Sequence, residues 1–510
     1  MTVESFVEGA ASLGAAGTAA AALVIDVPRA RARTMVAALI LAAIALEPLV
    51  WPRLHEQITN RPAVAGAGAV VGLLVVAALA YVLKGRPQWL GIAIFAVLPF
   101  RVPLTIGGDT ANLLIPLYVV ILAGAIALAI GASPVPDEEQ PKAVRRLDVL
   151  LAIVLVVYAI QAIYSTDLEH AVKNIGFFYI PFVVLYRMLR QIPWSRELLV
   201  RCLAILVGLA LVFAAIGFLE FATKHLLISN AKVLSANEIK PYFRVNSLFF
   251  DPNIYGRFLA LVMIVLATRL LWTTRGRETW LLAGILAVLW AGLVLSLSQS
   301  SFVALLVGLA VLAALRWKVW PVVAVVGLGV AAAVVVVVAA PGVIHLKGGT
   351  KSALDKATSG RYDLIRGGWL MFKARPVYGF GSGSFETTYR KRQHVRAKRI
   401  AAVSHTIPVT VAAEQGVIGL VFYVALLVVA LIMLFGGGLR EAARARPPPT
   451  EDLARIACAA AFCAVVVHTF VYASFLEDPV TWLLLGLTAA LRAPQAAQPT
   501  VPVLDLSSAD

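Results

Sequence analysis

Charged residues are scarce in this sequence, and their scarcity excludes a large class of proteins. Of the 510 residues, 14% are charged and 60% are hydrophobic, and the mean hydropathy is +0.87. A soluble globular chain carries about a quarter charged residues, so a soluble protein is excluded. Cysteine is rare too: all 3 cysteines lie within apolar runs, which argues against a disulfide framework or a metal centre. The GxxxxGK[ST] pattern of a phosphate-binding loop is missing, and the glycines of GFGSGS (379–384) are expected to form a turn.

The sequence is instead dominated by a succession of apolar runs. Most are about 17 to 25 residues long, enough to cross a hydrocarbon core of about 30 Å. They predict an all-α polytopic membrane protein with about 14 transmembrane helices, within a range of 12–15. The predicted spans are 34–50, 63–83, 89–104, 111–130, 148–164, 174–190, 198–221, 255–272, 279–297, 300–315, 319–341, 406–434, 455–474 and 479–491. An Ala/Gly-rich run at 9–26 is either a further span or an interfacial helix.

Lysine and arginine indicate which loops face the cytoplasm. One set of loops holds 22 basic residues, and the short loops of the other set hold nine. Cytoplasmic loops carry the excess, so the second set, which includes segments 222–254 and 342–404, is expected to face outward. The net charge of +16 is then expected to contact anionic membrane lipids, and no nucleic-acid partner is expected.

This orientation divides the chain into four parts. Residues 1–341 are expected to hold transmembrane helices with an outward loop at 222–254. Residues 342–404 are expected to form a large extracytoplasmic loop that contains short helices. Residues 405–492 hold the C-terminal transmembrane helices, and 493–510 is expected to be a disordered cytoplasmic tail.

The first outward segment ends in KPYFRVNSLFFDPNIYGRF (240–258). Asp251 and Asn253 flank a proline in a pattern typical of a helix start, so each is either a capping residue or part of a site. Capping does not explain Arg244, and a guanidinium at a membrane boundary usually contacts lipid phosphate or binds another anion. Arg257 follows at the mouth of the next span.

The second outward segment contains TSGRYDLIRGGWLMFKARP (358–376). A helix capped by Thr358 or Ser359 is expected to run to about Ala374. Arg361 and Arg366 lie in its first two turns, where guanidinium and backbone N–H groups together favour an anion. One apolar face, typical of a helix on a membrane or a bundle, is formed by Tyr362, Ile365, Trp369 and Phe372.

Further polar candidates follow. RKRQHVRAKR (390–399) either rests against anionic headgroups or attracts a polyanionic substrate. His405 stands at the start of an apolar run, and its imidazole can accept a proton near neutral pH. Glu414 is nine positions further, which on a straight helix is about 180° around and about 13 Å deeper. Glu414 is therefore expected to bond within the bundle rather than to pair with His405.

The outward candidates have complementary roles in one type of reaction. Two guanidinium groups can hold a diphosphate and stabilise the charge that develops as it leaves. An imidazole can take the proton of an attacking hydroxyl. Because no outward cluster of Asp and Glu shows metal-ligand spacing, a reaction without metal or cofactor is expected.

Four stretches between residues 240 and 435 carry a family resemblance: FRVNSLFFDPN, LSLSQSSFVALLVGL, SGRYDLIRGGWLMFKARPVYGFGSGSF and SHTIPVTVAAEQGVIGL. In sequence and order they resemble the O-antigen ligase and polymerase superfamily. The resemblance implies a GT-C-like membrane glycosyltransferase that moves a glycan from undecaprenyl diphosphate to a hydroxyl of a glycan or glycolipid acceptor, with inversion and without metal. It also implies the bacterial cytoplasmic (inner) membrane, with the active site facing the periplasm or exterior.

The resemblance assigns roles by position. Arg244 and Arg361 match the family's arginines that contact the donor diphosphate, and His405 matches the histidine proposed to activate the acceptor. Where the family often has Ser-Arg, this chain has Ser298-Gln299.

Other residues complete the expected site. The positive charge missing at Gln299 is expected from Lys173 or Arg257, and Arg366 is expected to add to the diphosphate site. Asn253, Tyr362 and Glu414 are secondary candidates.

Two alternatives to a ligase stay open. A polymerase of the same superfamily differs in its acceptor, which the sequence does not reveal. A transporter or flippase of lipid-linked glycans is disfavoured, because such proteins show intramembrane charges and repeated halves, whereas the polar residues here gather at the outer lip.

Overall fold

The computed structural model describes residues 3–106, 109–131, 140–228, 233–234, 242–317, 319–324, 327, 361–393, 406–472 and 474–492. In this part the chain is helical almost throughout and has one two-stranded hairpin. The helices are α1 (Val3–Val24), α2 (Pro28–Asn60), α3 (Pro62–Leu83), α4 (Pro87–Val97), α5 (Ile115–Ile130), α6 (Lys142–Ile163), α7 (Leu168–Asn174), α8 (Ile180–Leu189), α9 (Arg196–Thr223), α10 (Pro252–Trp272), α11 (Gly276–Ser296), α12 (Gln299–Arg316), α13 (Arg361–Ala374), α14 (Phe385–Gln393), α15 (Ile407–Phe435), α16 (Leu439–Ala442), α17 (Thr450–His468) and α18 (Pro479–Arg492). The strands are β1 (Val102–Ile106) and β2 (Asp109–Leu113).

Nine helices of the described chain are long and apolar enough to cross a membrane. They are α2, α3, α6, the unit formed by α7 and α8, α9, α10, α11, α12 and α15. Three shorter apolar helices, α4, α5 and α18, accompany them. The predicted class, an all-α polytopic membrane protein, is confirmed.

Several predicted segments differ from these helices or lie beyond them. Helix α1, which covers most of the run at 9–26, packs along α2 and α6 but is not among the nine candidates. The predicted span at 319–341 falls mostly outside the described residues, and the predicted tail at 493–510 falls wholly outside them.

Two predicted spans have a wrong boundary: the span at 89–104 at its C-terminal end, and the span at 111–130 at its N-terminal end. Helix α4 ends at Val97, two residues before Pro99, because the proline has no N–H with which to continue the helical hydrogen bonds. The chain then forms an antiparallel hairpin in which Val102 pairs with Leu113. Helix α5 begins only at Ile115.

A π-turn interrupts the span formed by α7 and α8. Pro181 has no N–H, so the carbonyl of Phe177 loses its helical donor. Tyr118 of α5 donates its hydroxyl to that carbonyl at 2.8 Å. This π-helical turn covers Ile175–Tyr179, and no periodic pattern of residues indicates it.

Helix α10 packs against α9, α11, α12 and α17. Glycines allow the close approach, since a Cβ on Gly217 or Gly292 would lie 2.8 or 3.0 Å from the hydroxyl of Tyr255. The side chains at the start of α10 are therefore held by a tightly packed helix. Asn253 and Arg257 are among them.

Helix α15 is broken at Gly416, where φ is +66°. A Cβ at this position would lie 2.3 Å from the carbonyl oxygen of Val377. The freed backbone groups bond to the incoming 376–381 loop: Val417 N–H donates to Pro376 O at 2.7 Å, and Gly381 N–H donates to Glu414 O at 2.8 Å. The straight helix assumed below His405 is therefore wrong from Gly416 onward.

The GFGSGS segment (379–384) begins within this loop and continues to the start of α14. Its three glycines all have positive φ. A Cβ on Gly381 would lie 2.3 Å from the Cα of Ser165, just beyond α6. The segment is thus a turn, as predicted, and it is also clamped between α6 and the break in α15.

Candidate functional site

A buried carboxylate holds the loop that carries Arg244. Glu220, near the end of α9, accepts hydrogen bonds from the N–H groups of Asn246 at 2.9 Å and Ser247 at 2.7 Å. Arg244 is buried too, and its Nε donates to the carbonyl of Ser296 at 3.0 Å. The loop therefore presents this guanidinium in a fixed orientation. Sequence reasoning missed Glu220, although a carboxylate inside an apolar run was the signal for it.

Asn253 connects Arg244 to the start of α12. Nη2 of Arg244 donates to Asn253 Oδ1 at 3.1 Å, and the Ser298 hydroxyl donates to the same oxygen at 2.9 Å. Asp251 caps α10 by accepting the Asn253 N–H at 2.6 Å. The predicted helix start is confirmed, with Asp251 as the capping side chain. Gln299 is exposed.

Arg361, the first residue of α13, lies beside this assembly. Its guanidinium is within electrostatic range of Arg244 and Asp251. Burial lowers the pKa of both arginines, and Asp251 opposes the shift. Both stay charged, because the ordinary arginine pKa lies far above neutrality. Two positive charges thus share one carboxylate, and the N-terminus of α13 adds the positive end of its dipole.

A second arginine pair surrounds Asp478. Arg257 of α10 forms a buried ion pair with Asp478, and Arg101 lies within electrostatic range of both. The guanidinium of Arg257 lies 6.0 Å from the ring centroid of Tyr472, whose hydroxyl donates to Asp251 at 3.2 Å. Tyr472 therefore links the two arginine pairs, each of which shares one aspartate.

His468, which the sequence analysis missed, lies in the same cluster. It ends α17, is 1% exposed and is within electrostatic range of Arg257 and Arg361. Its ring centroid lies 5.4 Å from that of Tyr472. Neither ring nitrogen has a hydrogen-bond partner among the described residues. The available signal was a histidine near one end of an apolar run, as it was for His405 at the start of another run.

A cavity of about 470 Å³ opens beside the second arginine pair. Arg101, Arg257 and Tyr472 line it. Apolar side chains also line it, among them Val154, Phe178, Phe250, Val411 and Phe422. Two carboxylates, Glu414 and Glu477, line it as well, so the cavity suits a ligand that has an apolar body and a polar group.

The structure does not bring every predicted residue to the arginine pairs. Lys173 forms a partly exposed ion pair with Glu169 at 2.5 Å, and it does not line the cavity as its neighbours His170 and Asn174 do. Arg366 is exposed and lies about 140° around α13 from Arg361.

Helix α13 packs through a different face from the predicted one. Its buried residues are Leu364, Gly367, Gly368 and Met371, and the helix contacts α14 and α15. Ile365 and Trp369 of the predicted face are 38% and 50% exposed, and Tyr362 is half-buried. The glycines explain why this face of α13 packs, since a Cβ on Gly367 would lie 2.2 Å from the ring of Tyr389. The predicted apolar face does not lie on the bundle.

Glu414 is buried at the N-terminus of α14. One carboxylate oxygen accepts the N–H of Gly383 and the other that of Phe385, both at 2.9 Å. Glu414 does not need His405 as a partner, but its bonds go to the predicted outward segment 342–404 and not to another helix of the bundle. Glu414 also borders the cavity.

We expect Glu414→Gln to lower the free energy of unfolding by about 2 kcal/mol, because the amide NH2 faces a backbone donor and leaves it unsatisfied. Thermal unfolding of the purified protein in detergent measures the loss. Glu386→Gln is the control, because its partner Arg390 lies on the same partly exposed surface and such pairs contribute little. Equal stability of the two variants would contradict the role of Glu414.

His405 lies outside the described residues, so its role stays a prediction. The residues that follow it are described. Thr406 donates its hydroxyl to Phe470 O at 3.1 Å, and Ile407 N–H donates to Thr469 O at 3.2 Å. The start of α15 is therefore fastened beside the end of α17, where His468 lies.

The fold and this cluster define a polytopic membrane protein with a buried cationic site. Residues 284–424 match the family model of O-antigen ligase. The match confirms the predicted resemblance of the chain to the O-antigen ligase superfamily over this segment, which is 141 of the 510 residues. The general activity that this match supports is glycosyl transfer of the O-antigen ligase or polymerase type, with a lipid-linked glycan and an acceptor as partners. No curated protein matches the chain.

The matched segment covers only part of the cluster. It includes Arg361, His405 and Glu414, whereas Arg244, Arg257 and His468 lie outside it. The structure assembles residues from both parts of the chain.

Proposed function

We propose that the protein transfers a glycan from undecaprenyl diphosphate to an acceptor hydroxyl at the outer face of the bacterial cytoplasmic membrane. The strongest support is the arrangement of Arg244 and Arg361 around the carboxylate of Asp251. A partly buried site with excess positive charge favours an anion. A diphosphate brings the negative charge that this site lacks.

The two arginines hold the leaving group. Guanidinium groups bind phosphate oxygens in pairs of charge-assisted hydrogen bonds. Arg244 is already oriented by Ser296 and Asn253, so little reorganisation opposes binding. The same charges stabilise the diphosphate as the sugar departs, which lowers the barrier of the transfer.

The cavity supports a lipid-linked donor, because it offers an apolar space next to charged groups. Its apolar lining suits part of a polyprenyl chain, and Arg101 and Arg257 line the same space. Exposed apolar helix surface surrounds the bundle, as on Leu73, Leu74 and Trp280, so the remainder of the chain stays in the bilayer.

The transfer is a direct displacement with inversion. The acceptor oxygen attacks the anomeric carbon as the bond from that carbon to the diphosphate oxygen breaks. The acceptor proton passes to the imidazole of His405, and the diphosphate leaves on the arginines. We place the site on the outer side from the lysine and arginine distribution.

The acceptor separates a ligase from a polymerase. A ligase takes a glycolipid or another glycan as acceptor, and a polymerase takes a second lipid-linked glycan. The same donor site serves both, and we propose the ligase as the first candidate.

Reconstitution tests the function. In proteoliposomes with glycan-loaded undecaprenyl diphosphate and an acceptor glycolipid, we expect glycosylated acceptor and free undecaprenyl diphosphate. His405→Ala should abolish product while the protein stays in the membrane. Intact donor crossing the bilayer without product would instead establish transport, and product from His405→Ala at the unmodified rate would remove His405 from the mechanism.

A further inference from the structure

We propose that His468 is an additional ligand of the donor diphosphate and donates one ring N–H to a phosphate oxygen. The inference rests on the proposed function, which supplies the diphosphate. It adds to the site a residue that lies outside the segment matched to O-antigen ligase.

Burial without partners is the first observation. The side chain is 1% exposed, and neither Nδ1 nor Nε2 bonds to any described residue. A buried polar atom left unpaired is destabilising by about 1–3 kcal/mol, so such atoms are uncommon in folded proteins and each calls for an explanation, such as a catalytic role or a bound water or ion. A phosphate oxygen supplies the acceptor that the ring N–H lacks.

Position is the second observation. His468 is within electrostatic range of Arg361 from the first arginine pair and of Arg257 from the second. In the proposed site, the anion held by Arg361 lies on the side of this guanidinium that faces the ring. With His468 as a ligand, the two arginine pairs become parts of one anion site.

The chemistry of imidazole suits this place. The two neighbouring guanidinium groups repel a further positive charge, so the neutral ring is the compatible form. A neutral ring still has one N–H to donate. It adds a hydrogen bond to the anion without adding to the repulsion within the site.

The backbone holds the ring in place. The carbonyl of His468 accepts the N–H groups of Val471 at 3.0 Å and Tyr472 at 2.9 Å. Thr469 accepts the N–H of Ile407. The turn after α17 is thus fixed before any ligand arrives, as a binding residue requires.

Two variants and a control test the role. His468→Leu removes the donor and keeps an apolar side chain of moderate size, and His468→Gln keeps an N–H donor. His225→Leu replaces an exposed histidine after α9. Each full-length protein in lipid nanodiscs is titrated with undecaprenyl diphosphate and, separately, with undecaprenol, which lacks the diphosphate.

We expect His468→Leu to weaken undecaprenyl diphosphate binding about 10- to 100-fold, as the loss of one hydrogen bond to a charged group does. His468→Gln should bind within about fivefold of the unmodified protein and His225→Leu identically to it, because both keep the donor. Undecaprenol binding should be the same in all four proteins.

Two results would overturn the inference while the unmodified protein still binds the diphosphate. One is unchanged affinity in His468→Leu. The other is equal weakening in the Leu and Gln variants, which indicates packing rather than donation. Failure of the unmodified protein to distinguish undecaprenyl diphosphate from undecaprenol is a different result, and it overturns the proposed function together with this inference.

Discussion

Arg361→Ala is expected to reduce glycan transfer by a factor of about 100 to 1,000, the usual effect of removing one group that stabilises a developing charge. The side chain lies at the start of α13, within range of Arg244 and Asp251. Its removal leaves one guanidinium beside one carboxylate, so the excess positive charge of the first pair is lost. Arg361→Lys should recover only part of the rate, because an ammonium group does not bind phosphate in the bidentate manner of a guanidinium.

Initial rates with purified protein in liposomes measure this prediction. Arg366→Ala is the control, because it removes the same charge from the same helix at an exposed position. Its rate should stay within about twofold, since exposed charges act through screened interactions. Equal loss in both variants would show that the overall charge of α13 matters rather than the geometry around Asp251.

Gly416→Ala is expected to lower the free energy of unfolding by about 3 kcal/mol or more. With φ of 66° and ψ of -158°, Gly416 lies in a region that essentially only glycine adopts and that costs another residue about 1–3 kcal/mol, and the added Cβ would lie 2.3 Å from Val377 O. The clash forces the 376–381 loop away from α15, so transfer should fall as well.

Thermal unfolding in detergent checks this prediction. Gly208→Ala in α9 is the matched control, since no atom lies within 4 Å of the added Cβ and alanine favours a helix. That variant should be as stable as the unmodified protein or more stable. A Gly416→Ala protein with unchanged stability would show that the break in α15 does not require glycine.

Hydrophobicity and local signals predicted much of this protein. Run length gave the helical membrane class, and the Asp-Pro-Asn motif gave the start of α10. Arg244 was predicted as a site residue because no local role explained it, and Arg361 because it lies at the start of a helix. The two guanidinium groups lie within electrostatic range of each other. Each of these predictions uses information contained in a short stretch of chain.

Features that depend on tertiary contacts were missed or predicted wrongly. The buried face of α13 is set by Gly367 against Tyr389, which outweighs its apolar periodicity. His468 is significant only because Arg257 and Arg361 approach it from distant segments. The break at Gly416 depends on a loop that precedes it by some 40 residues, and no sequence pattern within α15 indicates a contact with that loop.

The loop that fills the break in α15 also has a consequence for biogenesis. Lipid tails offer no hydrogen bonds, so the carbonyl of Glu414 and the N–H of Val417 depend on residues 376–381 for partners. Helix α15 therefore cannot complete its backbone hydrogen bonds in the bilayer ahead of the segment at 376–381 that precedes it. During insertion the two must fold together, and a chain in which that segment is deleted should be handled by the cell as an incompletely inserted protein.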